Sequence, residues 1–330
     1  MQSDAGRREG ALTLSPTTEP LHVSFRRYSA PAPSRSAAYR EAMRLAEMFA
    51  RDRTATVLIE GEAGTGKTLL ARRLHDMSPR RDAPYRDCDL SALDDTLASD
   101  DLFGHVPGAF TGARHTRDGL FVSARGGTVF LDEIGKASLH VQQKLLRAIE
   151  YHQITPLGAD RPITVDVKII AATNVALHQL VAKERFLPDL YARLKFFRIK
   201  LPPLRERAPD LPLLVDECVG RHARDCGYSS TPTIDPELMS ALKRAKWPDN
   251  LRELDGTIHR LLLEAAGEPV LTTRLCTRSL ARLIRGSGAK KSVEIEQIPR
   301  WRGVHVSSKE GHVPLNDSEA SSPALTLASD

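Results

Sequence analysis

Two stretches of this chain hold residue types that manage phosphate. The first, Gly61-Glu62-Ala63-Gly64-Thr65-Gly66-Lys67-Thr68, fits the spacing G-x-x-x-x-G-K-[ST]. Its glycines let successive backbone N–H groups curl round an anion. A helix starting at Lys67 would aim its positive N-terminus at the same charge. Lys67 is then expected to reach the β- and γ-phosphates of a nucleoside triphosphate, and the Thr68 hydroxyl to bind Mg²⁺. The second stretch runs from Thr128 to Glu133, an apolar segment that ends in two carboxylates. Asp132 would hold Mg²⁺ through water, and Glu133 would polarise the water that attacks the γ-phosphate. A third apolar run, Val167–Thr173, ends at Asn174, where a side chain can sense the γ-phosphate. Taken by themselves, Thr173 and Asn174 fit a helix N-cap better.

These residues need a scaffold that holds them at strand ends. Thr56–Glu60 is a β-branched apolar run closed by Gly61, which marks a buried strand. Thr128–Asp132, Val165–Thr173 and Phe197–Leu201 are expected to be strands of the same kind. Between them, the apolar spacing predicts helices over Ala37–Ala50, Lys67–Asp76 and Leu139–Tyr151. Strands alternating with helices argue for an α/β fold with a parallel sheet covered on both faces. The Pro-rich step Leu201–Arg207 marks a boundary. Beyond it, Leu211–Cys226, Pro236–Ala245 and Asn250–Ala266 have helical patterns and imply a small all-helical second domain. Residues 1–36 are rich in Ser, Pro, Thr and Arg and fit a flexible leader, and the Ser- and Ala-rich end, Ser307–Asp330, fits a disordered tail. The expected division is therefore 1–36, leader; 37–204, α/β; 205–267, helical lid; and 268–330, a basic helical segment with a tail.

Composition narrows the class without naming it. The chain has 330 residues, 41% hydrophobic and 27% charged, the balance of an ordinary globular protein. No run approaches the ~18 apolar residues that cross a bilayer, and Met1–Pro20 lacks the apolar stretch of a signal peptide. No pair among Cys88, Cys218, Cys226 and Cys276 has C-x-x-C spacing, so reduced thiols in a cytoplasmic protein are expected. A net charge of +5 permits contact with nucleic acid and does not establish it.

The segment between the two phosphate stretches is the most specific. Asp101–Ala113, with Gly108-Ala109-Phe110-Thr111-Gly112-Ala113 at its end, resembles the signature of the AAA+ ATPase domain of bacterial enhancer-binding proteins, the activators of sigma-54 RNA polymerase. Gly126–Ile134, Leu201–Arg207 and Trp247–Leu254 resemble later markers of that family. The resemblance covers about residues 37–267. It implies an AAA+ P-loop NTPase that binds ATP and Mg²⁺ between protomers of a homo-oligomeric ring, commonly a hexamer. Lys67, Thr68, Asp132 and Glu133 match the Walker A and Walker B positions. Asn174, with Thr173, matches sensor I, and Arg252 matches sensor II. Arg193 matches an arginine finger donated to a neighbour. Phe110 and Thr111 would lie at the tip of a loop that touches sigma-54, as an exposed apolar anchor framed by Gly108 and Gly112.

Several positions depart from the family pattern. Leu187 stands where the first arginine finger is usual, with Pro188 after it. Asp89 stands where an Asn couples to the Walker B Glu, and a carboxylate there would repel Glu133 when both are ionised. Pro156 replaces a usual Arg, Val122 a usual Glu, and Thr68 a common Glu, the last restoring the general Mg²⁺-binding pattern. The expected function is ATP-driven activation of sigma-54 RNA polymerase. The departures leave a second reading, a weakly hydrolysing or non-hydrolysing regulatory subunit that works with a partner protomer. A helix over Thr272–Arg285 is expected, made basic by Arg274, Arg278, Arg282 and Arg285, with Lys290 and Lys291 beyond it. No recognition helix follows it, so DNA contact is left open.

Overall fold

The computed structural model describes residues 34–91 and 94–275. The leader up to residue 33, most of the expected 272–285 helix and the tail lie outside them. Five parallel strands form the central sheet: β1 (Val57–Glu60), β2 (Tyr85–Asp89), β3 (Thr128–Asp132), β4 (Lys168–Thr173) and β5 (Phe197–Lys200). Their order is β2-β3-β4-β1-β5. Side chains alternate across a strand, so each apolar run feeds two cores. Leu58, Val129, Leu131, Ile169 and Ala171 pack on one face. Val57, Ile59, Phe130, Ile170, Ala172 and Ile199 pack on the other.

Helices cover both faces. Helix α1 (Ala37–Ala50) and helix α2 (Lys67–Asp76) close one side, with Ala46, Leu70 and Leu74 in its core. Helices α3 (Asp95–Phe103), α4 (Leu139–Tyr151) and α5 (Pro188–Leu194) close the other, with Leu102, Leu145 and Leu190. Helix α4 starts where Ser138 accepts a hydrogen bond from the Val141 amide, the usual way a serine satisfies one of the free N–H groups of a first turn. A third core belongs to residues 204–271 alone. In it Val215 of α6 (Leu211–His222), Leu238 of α7 (Pro236–Arg244) and Leu254, Ile258 and Leu262 of α8 (Asn250–Ala265) meet around Trp247.

Strand β2 is absent from the sequence reading. Its residues, Tyr-Arg-Asp-Cys-Asp, form the sheet edge, and only Cys88 is buried, so no apolar run announces it. Strand β4 begins at Lys168 rather than Val165. In the three residues before it Val165 and Val167 are buried and Asp166 is exposed, and the Asp166 carbonyl accepts from the Gly126 amide. Lys168 is itself fully buried, and its Nζ donates to the carbonyls of Phe49 and Ala50 in the last turn of α1 and of Asp52 just past it. A cation at a helix C-terminus satisfies carbonyls that no backbone amide reaches. Helix α6 ends at His222 rather than Cys226, where the chain turns back through Gly227 at φ +82°. Helices α7 and α8 each stop one residue before the expected end. Residues 272–275 are not helical. Residues 34–36 are pinned: Ser34 Oγ and the amides of Arg35 and Ser36 all donate to the Asp210 carboxylate, at 2.6, 2.6 and 3.0 Å.

Candidate functional site

The phosphate loop follows the carboxyl end of β1 and opens α2, whose first residue is Lys67. Gly64 has φ +74°, and a Cβ there would fall 2.0 Å from the Asp249 carbonyl oxygen, so only glycine fits. Lys67 is 6% exposed. Its Nζ donates to the carbonyls of Gly61 and Glu62 at 3.1 and 3.3 Å and stands 3.7 Å from Glu133 Oε1. The Thr68 hydroxyl donates to Asp132 Oδ2 at 3.1 Å, and the other oxygen of Asp132 accepts from the Glu133 amide at 2.9 Å. The Asn174 amide donates to Glu133 Oε2 at 3.2 Å. Three strand ends, those of β1, β3 and β4, thus bring Lys67, Thr68, Asp132, Glu133 and Asn174 together, at the place where open α/β sheets bind ligands.

Thr173 stays apart from this group. It is fully buried, and its hydroxyl is engaged with the backbone of Val175. Its role is the turn that follows β4. Asp89, at the end of β2, is exposed. It accepts from the Ser91 amide at 2.9 Å and shares a cleft with Glu133. That cleft has a volume of about 670 Å³, with the phosphate loop and β3 on one side. Leu251, Arg252 and Asp255 of α8 and Cys218 of α6 form the other side. The size suits a nucleotide-sized ligand. Burial pushes the Cys218 thiol up to about 12, so it contributes shape and no nucleophile.

Arg193 lies elsewhere. It is exposed near the end of α5 and paired with Glu150 of α4, beside Asp189 and Phe196. It does not line the cleft of its own chain. Leu187 is half-buried against the main core, and its amide donates to the Gln142 side chain at 2.8 Å.

Gly108–Ala113 forms a short hairpin tip between the paired segments Gly104–His105 and Arg117–Asp118. The Gly108 amide donates to the Ala113 carbonyl at 2.8 Å, and the Ala113 amide to the Phe110 carbonyl at 3.0 Å. Gly108 and Gly112 have φ of +84° and +104° with open space where a Cβ would stand, so the turn demands glycine for backbone angle rather than crowding. Thr111 is exposed, and Ala113 is buried. Phe110 is exposed on one side only. Its other side meets the edge of His105 at a ring distance of 4.9 Å. His105 is buried and bonded to Asp100 at 2.6 Å, which Arg117 holds from its other oxygen at 2.6 Å. The base of the hairpin is stitched to the following turn by Val106 N to Leu157 O and Leu157 N to Gly104 O. The sequence reading missed His105, Asp100 and Arg117. It also missed Asn250 and the Glu62–Arg205 pair, which join the phosphate loop to α8 and its linker. Only the family signature around His105 and the Trp-Pro-Asp-Asn step hinted at them.

A family model of the sigma-54 interaction domain matches residues 33–200, and a model of the AAA+ ATPase lid domain matches residues 205–290. The chain belongs to the sigma-54 activator family. The DNA-binding transcriptional regulator NtrC of Escherichia coli (strain K12) is 46% identical over 216 residues, covering 66% of this chain and 46% of that protein. The Nif-specific regulatory protein of Azospirillum lipoferum is 42% identical over 226 residues, covering 68% of this chain and 36% of that one. The chain thus spans less than half the length of these curated relatives. Among solved structures, NtrX from Brucella abortus in complex with ATP superposes with a TM-score of 0.69 at 27% identity, covering 81% of this chain and 57% of that one. The architecture of this sigma-54 activator chain is accordingly an AAA+ α/β unit with a helical lid. Among the described residues, no helix is long and apolar enough to cross a membrane.

Proposed function

We propose that this chain is an ATP-hydrolysing activator of sigma-54 RNA polymerase, acting as a homo-oligomeric ring. The observation that carries the reading is the pairing of a complete phosphate cleft with an exposed Gly108–Ala113 tip in one chain of this family. In the cleft, Lys67 would neutralise the β- and γ-phosphates. The donor set of Thr68 and Asp132 is hard oxygen, adjacent at 3.1 Å, and fits Mg²⁺, which uses one or two protein oxygens beside phosphate and water. Bound there, Mg²⁺ would supply charge neutralisation along the phosphates.

Glu133 would orient and deprotonate the attacking water, with the Asn174 amide fixing its carboxylate. Arg252 would close on the phosphates from α8. Arg193, exposed and outside its own cleft, would exchange its Glu150 partner for a neighbour's cleft, where a guanidinium is worth ~10³–10⁵ in rate. Phe110 and Thr111 would carry the resulting movement to sigma-54. Support for a slower, regulatory variant of this activity comes from Leu187, an aliphatic side chain packed on the core at a finger position, and from Asp89, a further carboxylate in the cleft of Glu133.

Steady-state phosphate release by the purified chain, with Lys67→Ala as control, tests the reading. Release that Lys67→Ala abolishes supports an autonomous ATPase. No release from the wild type, with ATP still bound, assigns the chain to the regulatory role.

A further inference from the structure

We propose that Asn250 is a positioning residue of the nucleotide site: its side-chain amide locks the phosphate loop to the lid so that Arg252 is held over the cleft. The inference rests on the nucleotide reading above and gives a positioning role to Asn250, two residues before Arg252 in the same segment.

Asn250 is fully buried and opens α8. Its Oδ1 accepts from the Leu204 amide at 2.7 Å, in the linker between the sheet and the lid. Its Nδ2 donates to the Ala63 carbonyl at 2.9 Å and reaches Glu62 Oε2 at 3.3 Å. One amide therefore joins three segments: the linker, the phosphate loop and the start of α8. Only a side chain with a donor and an acceptor on one carbon does this, which limits the choice to a primary amide. The backbone of Asn250 sits at φ +53°, a left-handed conformation that Asn adopts more readily than most residues.

Neighbouring contacts run the same way. The Leu251 amide donates to the Gly64 carbonyl at 2.9 Å. A Cβ at Gly64 would lie 3.2 Å from Arg252 Cβ and 2.0 Å from the Asp249 carbonyl. Glu62 receives both terminal nitrogens of Arg205 at 2.8 and 2.6 Å, and that pair holds its carboxyl below the usual range. The carbonyls of Ala63 and Gly64 are thus bound to the first turn of α8, while Arg252 leaves the same turn toward the cleft. A shift of the phosphate loop moves α8, and a loosened α8 releases Arg252.

The test is equilibrium binding of a non-hydrolysable ATP analogue to the full chain, with thermal unfolding alongside. Asn250→Asp keeps the acceptor for Leu204 and the tolerance of left-handed backbone. It replaces the donor with a carboxylate facing Ala63 O and Glu62. Analogue affinity should fall about tenfold for this lost buried bond. Because Asn250 acts through Arg252, the double variant Asn250→Asp/Arg252→Ala should bind no more than about threefold more weakly than Arg252→Ala alone. Adding Glu62→Gln to Asn250→Asp restores a donor opposite the new carboxylate and should recover part of the affinity, an effect that a purely structural role would not produce. Should Asn250→Asp fail to fold, Glu62→Ala removes one partner of the amide at the exposed rim, and its loss should be non-additive with Arg252→Ala in the same way. Wild-type affinity in both Asn250→Asp and Glu62→Ala, or losses that multiply with Arg252→Ala, overturn the proposal. A wild-type chain that binds no analogue overturns the nucleotide reading itself, which separates the two failures.

Discussion

Glu133 is held from two sides, by the Lys67 ammonium at 3.7 Å and by the Asn174 amide at 3.2 Å. A phosphate entering the loop competes for Lys67 and frees one oxygen of Glu133 for water, while Asn174 keeps the other in place. Glu133→Gln preserves an acceptor for Asn174 and removes the basicity together with the charge that faces Lys67. Analogue binding should therefore be retained while phosphate release falls by about 10²-fold or more. Release within twofold of wild type would remove Glu133 from the chemistry. The departures are tested at the same scale. Asp89→Asn takes a negative charge out of the cleft, and Leu187→Arg restores a guanidinium at the N-cap of α5. Each should raise steady-state release several-fold, and unchanged rates in both variants would show that these two positions are neutral.

At the scale of elements, the start of the described chain depends on one carboxylate. Asp210 is buried, which opposes its charge, yet hydrogen bonds from Ser34, the Arg35 and Ser36 amides and Arg207 hold its carboxyl below the usual range. A lowered pKa means that the folded state releases this proton more readily than the unfolded one, so its contribution is present above about pH 4 and is lost as the pH falls through the folded value. Asp210→Asn should therefore lower the unfolding midpoint at pH 7 and narrow the difference from wild type below pH 4. A difference that stays constant with pH would mean that the strap is not held by the charge.

Much of this level was legible in sequence. Strands β1, β3 and β4 are buried on both faces and show as apolar runs, and α4 shows its stripe of Val141 and Leu145 beside a serine cap. Strand β2 was not legible, because an edge strand with Arg86, Asp87 and Asp89 exposed has no apolar pattern of its own. Lys168 misleads in the opposite direction, since a charged residue in a core strand makes sense only once the end of α1 is beside it. The cleft residues of the phosphate loop and of β3 could be read from spacing. Asn250 and Arg205 could not, because their partners lie 46 and 143 residues away in sequence and become neighbours only through the fold.

At the scale of the whole molecule, the cleft of one chain has every group of the proposed reaction except the exposed guanidinium of Arg193. Two inactive variants should then complement each other. Lys67→Ala loses its own phosphate site and keeps its finger, whereas Arg193→Ala keeps the site and loses the finger. Mixed, they should recover phosphate release that neither shows alone, and no recovery would place Arg193 outside the reaction.

The central claim joins the cleft to the Gly108–Ala113 tip, and capture of sigma-54 with an ATP transition-state analogue tests it most directly. The wild-type chain should retain sigma-54 with the analogue and release it without nucleotide. Thr111→Ala, whose side chain is exposed and remote from the core, should bind the analogue normally and fail to retain sigma-54. Retention that is independent of nucleotide, or that survives Thr111→Ala undiminished, would contradict the account.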